Sequence, residues 1–174
     1  MLILNKKKYF NNIYFEIFKK SMLSIDDTNN LLTYYGAKPY IEEDKMKFVL
    51  STFLFNLFFL EGVLQQKYWT KYKEEIIQII EAMIDEISKR TSYENGKIYD
   101  VYDTIRKNLS DAALNNDRYK DINPLYIAAI YYLQFTFHDD YTEKIGYDDG
   151  EVETAISKLF QTLINNTQTY LHSL

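Results

Sequence analysis

The sequence predicts an all-α protein: a single-domain bundle of five major helices plus one or two short ones, wrapped around two central apolar helices. Three observations carry that prediction. Apolar residues recur at three- and four-residue steps along nearly the whole chain, which puts them on single helix faces. Helix start and stop signals punctuate these stripes, and no stretch of useful length alternates with the period of two that a half-buried strand requires. Five Gly and two Pro among 174 residues exclude collagen-like, linker-rich and low-complexity classes, while an apolar share of 47% suffices for a core. No internal repeat or long linker divides residues 1–174, which read as one domain.

Phe10, Ile13, Tyr14, Ile17 and Phe18 form the first stripe. Ser24, with Asp27 three residues on, reads as the N-cap of a short second helix that Gly36 closes at its C′ position. Pro39 suits a first helical turn, where its missing N–H would be unpaired anyway, and Glu42, Glu43 and Asp44 follow where the helix dipole favours acids. That helix runs through the uncharged Phe48–Leu60 segment and is expected to end near Gln65. A large helix from about Tyr68 to Arg90 follows, with Trp69, Tyr72, Ile76, Ile80, Met83 and Ile87 as its buried stripe. Asp85–Lys89 and Glu86–Arg90 are favourably oriented i,i+4 pairs on it, worth about 0.3 kcal/mol each. Asn95-Gly96 marks a turn before a stripe of Ile98, Val101, Ile105, Leu109 and Ala112. Asn123 caps, and Pro124 opens, an apolar helix reaching about Phe137. Asp148 with Glu151 forms a cap-plus-acid pattern ahead of Val152, Ile156, Leu159, Leu163 and Tyr170. The two central helices are Phe48–Leu64 and Pro124–Phe137.

Two uncharged runs resemble membrane spans, Phe48–Leu60 with 13 residues and Ile122–His138 with 17. A span takes about 20 predominantly apolar residues, and the second run is interrupted by Asn123, Pro124, Gln134 and Thr136. Both read as core helices. At the start of the chain, Met1–Leu4 precedes Lys6, Lys7 and Lys8, the reverse of the order in a secretory signal. The expected location is cytoplasmic, with no membrane partner.

The absence of Cys excludes disulfide scaffolds, thiolate nucleophiles and Cys-based metal sites. The only histidines are His138 and His172, no Ser lies in a Gly-flanked elbow, and the glycines form no phosphate-cradling loop. A calcium loop around Asp148-Asp149-Gly150 fails: with Gly150 at position six, Ile145 and Tyr147 fall at the first and third ligand positions. A helix-turn-helix reading of residues 24–39 fails as well, because Glu42, Glu43 and Asp44 would face phosphates. Lys6, Lys7, Lys8, Lys19 and Lys20, opposed by Glu16, read as a solvated basic face, with nucleic-acid association as the alternative. His138-Asp139-Asp140 joins an imidazole to carboxylates, a set suited to a hard or borderline cation. The His138-Asp139 dyad resembles that of the HD phosphohydrolases, an all-helical family, and the resemblance implies a metal-dependent hydrolase. The likeness covers two residues, and the upstream His of that family's pattern is missing here. A histidine at a helix C-terminus followed by solvated acids accounts for the same residues, so neither a metal nor another cofactor is predicted.

The distribution of acid is the most unusual feature. The chain holds 20 Lys+Arg and 25 Asp+Glu, a net charge of −5. Residues 139–153 contain seven acids against Lys144 alone, a net −6, so the rest of the chain sums to +1. Capping of the last helix accounts for Asp148, Asp149, Glu151 and Glu153, but not for the uncompensated grouping of all seven. Tyr141 and Tyr147 stand inside this segment of a chain with 17 tyrosines. Acids beside tyrosines suit a basic protein surface, because charge speeds encounter and tyrosine gives rigid contact area. The expected function is a non-enzymatic protein-binding inhibitor, most concretely an immunity protein that neutralises a basic toxin such as a nuclease. Asp139, Asp140, Glu143, Asp148 and Asp149 would pair with the partner's Lys or Arg, and Tyr141 and Tyr147 would anchor the contact. The alternatives are a metal-dependent hydrolase using His138 and Asp139, and a helical nucleic-acid-associated regulator.

Overall fold

A computed structural model describes residues 2–37, 45–115, 122–137 and 150–174. Among them five helices and no strand occur: α1 (Leu2–Tyr34), α2 (Lys45–Thr91), α3 (Asn95–Asn115), α4 (Pro124–Phe137) and α5 (Glu151–His172). All five pack around one continuous apolar core. α2 touches each of the other four helices, and its Phe48–Leu64 half is buried on almost every side. α4 packs on α2, α3 and α5 and buries Ile127, Ala128, Ala129, Tyr132, Leu133, Thr136 and Phe137.

Two cap readings hold in atomic detail. Gly36 takes a left-handed φ of 88°, its N–H donates to the Thr33 carbonyl, and the Ala37 N–H donates to that of Leu32, both at 3.0 Å. These paired bonds form a Schellman end for α1, with Leu32 and Ala37 both buried beneath it. At α4, the Leu125 N–H donates to Asn123 Oδ1 at 2.9 Å, the N-cap bond that precedes a first-turn proline.

Elsewhere expected boundaries move. Ser24 is not an N-cap: it lies buried in the middle of the 33-residue α1, and its carbonyl accepts the Thr28 hydroxyl at 2.7 Å. Gln65 does not end a helix either, because α2 continues through it for 47 residues, and the only non-helical backbone inside α2 is at Tyr72 (φ −136°, ψ 38°). Gln and Lys are good helix formers, so the polar Gln65–Lys67 stretch contains no breaker. The break falls where Tyr72 packs edge-on against Phe10 and Tyr68, with centroids 5.2 and 6.1 Å away. This break shifts the phase of the stripe that follows. Ile76, Ile80, Met83 and Ile87 are buried as expected, but Trp69 is 39% exposed, with Lys73 Nζ 4.9 Å from its ring.

The turn between α2 and α3 forms at Ser92 (φ 60°), and Asn95 and Gly96 belong to the first turn of α3. The N-cap position of α5 is held by Gly150, not by Asp148, and makes no side-chain cap bond. The uncharged 48–60 run is short, but the helix carrying it contains an 18-residue window of mean hydropathy 1.6. By length and composition α2 could cross a membrane, yet 72% of that window is buried against the rest of the fold.

Two aromatic layers lock the helices. Phe160 of α5 lies 4.7 Å from Phe59 and 5.9 Å from Tyr132, with Phe55 at 6.4 Å. Tyr9 and Phe10 of α1 meet Tyr68 and Tyr72 at the other end, where the Tyr9 and Tyr68 hydroxyls share a hydrogen bond of 2.6 Å. Polar pairs set the register along α2: Thr52 bonds Tyr132 at 2.7 Å, Thr136 donates to Ser51 at 3.0 Å, and Asn56 donates to the Ser21 carbonyl at 3.3 Å.

Candidate functional site

The expected partner-binding residues, Asp139, Asp140, Tyr141, Glu143, Tyr147, Asp148 and Asp149, lie outside the described residues, as does His138. The flanks of that segment are described, and both are anchored. Phe137 closes α4 with its ring buried in the core. Gly150 has φ 74°, a left-handed backbone that favours glycine, and the Tyr126 hydroxyl packs into the space a Cβ would take there. Tyr126 stands in the first turn of α4 and Phe137 in its last, so the anchors lie about 16 Å apart along that helix. Glu151 and Glu153 sit in the first turn of α5, where the dipole favours acids. Glu153 is buried, and burial together with its charge raises the Tyr126 phenol above its ordinary pKa.

A second charged cluster escaped sequence reasoning. Glu61, 8% exposed, projects from α2 and accepts three hydrogen bonds. Tyr102 donates from α3 at 2.6 Å, Arg106 at 3.0 Å, and Gln65 at 2.8 Å. Burial, reinforced by the neighbouring carboxylate, pushes the Tyr102 phenol well above its ordinary pKa. Arg106 also rests over the Tyr102 ring, its Cζ 5.8 Å from the centroid, and its side chain is 44% exposed. A cavity of about 400 Å³ opens over this network between α2, α3 and α5, beside Phe59, Gly62, Ser110 and Gln168. The sequence signal was a lone Glu ending an apolar run, but its partners lie 41 and 45 residues away.

The third cluster joins two basic stretches distant in sequence. Lys6 of α1 pairs with Glu75 of α2, and both Lys6 and Lys71 place Nζ 5.2 Å from the centre of the Tyr72 ring. Lys67 lies over Tyr68 at 5.3 Å and donates to the Leu171 carbonyl near the end of α5. The Lys6–Glu75 pair raises the Lys6 amine and lowers the Glu75 carboxyl from their ordinary values. Lys6, Lys7, Lys8, Lys67, Lys71 and Lys73 are all exposed. The basic face expected from Lys6, Lys7, Lys8, Lys19 and Lys20 therefore meets the middle of α2 where Lys6 and Lys71 share the Tyr72 ring, while Lys7 lines a groove with Glu75, Asp85 and Glu86. Lys20, from the same N-terminal run, sits 5.8 Å from the Tyr170 ring.

Among the described residues, no group of three or more His, Asp or Glu is placed to hold a metal ion. His172 is exposed in the last turn of α5, beside Val63, Gln66 and Lys67. Compared with known proteins, the chain matches no family model, no curated protein and no solved structure.

Proposed function

We propose that this protein is a non-enzymatic inhibitor that binds a basic protein partner through residues 139–149, as a cytoplasmic immunity protein does toward a toxin. One observation carries the reading: a net −6 concentrated in residues 139–153 of a chain that otherwise sums to +1. The anchored flanks support it. Thirteen residues join α4 to α5, and the anchors that flank them, Phe137 and Gly150, are both held against α4, which lowers the ordering cost of binding at the segment's ends. Asp139, Asp140, Glu143, Asp148 and Asp149 would meet Lys or Arg of the partner, with Tyr141 and Tyr147 as contact anchors.

Affinity capture with paired baits tests the proposal. One bait is the native chain, and the other carries Asp139→Asn, Asp140→Asn, Asp148→Asn and Asp149→Asn. The native bait is expected to retain a basic protein in stoichiometric amount, with an association rate that falls as salt rises. The substituted bait is expected to lose it. Equal capture by both baits would remove the acidic segment from any role in binding.

A further inference from the structure

Two clefts meet along α2. The first is the cavity of about 400 Å³ over the Glu61 network, and the second, of about 240 Å³, lies between α2, α3 and α4. They share Phe58, Phe59 and Ser110 and so form one trough, whose halves differ in chemistry. The half toward α4 is lined by Phe58, Phe59, Leu109, Leu125, Ile127 and Ala128, and no charged residue borders it. The half toward α5 has two charged residues in its lining, Glu61 and Arg106, which pair with each other at 3.0 Å. Arg106 spends two of its five N–H donors, one on Glu61 and one on Asp103. The side chains of Gln66, Ser110 and Gln168, in the same half, make no hydrogen bond among the described residues. Gly62 borders that half from the interior of α2, where glycine weakens a helix relative to alanine. A Cβ at Gly62 would meet no atom within 4 Å, so no packing inside the protein calls for glycine there.

We propose that this trough binds a neutral amphiphile: an acyl chain lying against Phe58, Leu125 and Ile127, and a hydroxyl- or amide-bearing head at Arg106, Gln66 and Gln168. The apolar half selects the tail, because it offers hydrocarbon contact and no charge to desolvate. The polar half selects a neutral head. Glu61 and Arg106 cancel each other, so an anionic head would stand beside the Glu61 carboxylate and a cationic one beside the guanidinium, each without a counter-charge of its own. Hydroxyls and amides both donate and accept, which matches two free glutamine amides, the Ser110 hydroxyl and the spare N–H groups of Arg106. From Phe58 to Gln66 the trough follows α2 for about 12 Å, and its two clefts together reach the size of small-molecule sites, about 300–1,000 Å³. The open space at Gly62 is then room kept for the head. None of these residues belongs to the acidic segment, so the site stands apart from the binding role proposed for residues 139–149.

Calorimetric titration of the full chain with monodecanoylglycerol, kept below the concentration at which it aggregates, tests the proposal. The native protein should bind one molecule per chain. Decanoate and decyltrimethylammonium, which offer a similar tail with a charged head, should bind about tenfold more weakly or worse. Gly62→Leu places a side chain in the head's space and should lower affinity for the glycerol ester by about tenfold or more. The same substitution should keep or raise the thermal midpoint, since leucine favours the helix and its Cβ meets no neighbour. Ser110→Trp, at an exposed position shared by both clefts, should block the junction with a similar loss of affinity. A native chain that binds no glycerol ester would overturn the proposal, as would folded variants that bind it like the native chain. Charged analogues that bind as tightly as the neutral one would overturn it too, because the tail alone would then account for binding.

Discussion

Glu61 and the lysines Lys67, Lys71 and Lys73 carry charge only about two to three helical turns apart along α2, in opposite circumstances. Glu61 is 8% exposed and held by a hydroxyl, a guanidinium and an amide. Lys7, Lys8, Lys71 and Lys73 stand in solvent, two of them resting on aromatic rings and none taking part in the core. A charge inside the bundle is tied to every donor around it, so it fixes how α2 and α3 sit together. A charge outside contributes little to the fold and remains available for association. The comparison predicts a graded set of effects.

The largest should come from Arg106→Ala, which removes one of the three donors to a buried carboxylate. We expect a loss of about 2–3 kcal/mol by chemical denaturation, below the 3–5 of a fully enclosed pair because Tyr102 and Gln65 remain and Arg106 reaches solvent. Tyr102→Phe should cost about 1–2 kcal/mol by the same measurement, since one donor is lost while the ring stays packed. Alkaline titration sharpens the contrast. Tyr102, Tyr68, Tyr14 and Tyr126 all have phenols raised by burial, so they stay protonated in the fold at a pH where the unfolded chain has released its protons. Their contribution is fully present below the unfolded value of about 10 and is lost as pH rises above it, so the denaturation midpoint should fall there. The smallest effect should come from Lys7→Gln, Lys8→Gln, Lys71→Gln and Lys73→Gln together, each changing stability by less than about 0.5 kcal/mol.

Much of the fold was legible because local chemistry decides it. Gly36 and Asn123-Pro124 end and begin helices for reasons contained within a few residues. Where packing decides, the sequence misled. Ser24 has the chemistry of a cap, but the apolar faces on either side of it bury into one core, so α1 runs straight through. Trp69 matches the α2 stripe only if the helix keeps its phase, and the break falls at Tyr72, whose ring packs on Phe10, 62 residues away in the chain. The same limit hid the Glu61 network and the meeting of Lys6 with Lys71, which become neighbours through the Tyr72 ring. The acid concentration in residues 139–153 was legible at once, because net charge needs no fold to be counted.

The proposal that the acids of residues 139–149 serve a partner and not the stability of the fold can be tested against Glu61. One denaturation series tests it most directly, comparing the native chain, Arg106→Ala, and the variant with Asp139→Asn, Asp140→Asn, Asp148→Asn and Asp149→Asn. The account predicts a lowered midpoint for Arg106→Ala and a native or slightly raised one for the fourfold variant, as mutual repulsion among the acids is relieved. A fourfold variant that unfolds as early as Arg106→Ala would contradict it, because those carboxylates would then be holding the fold together.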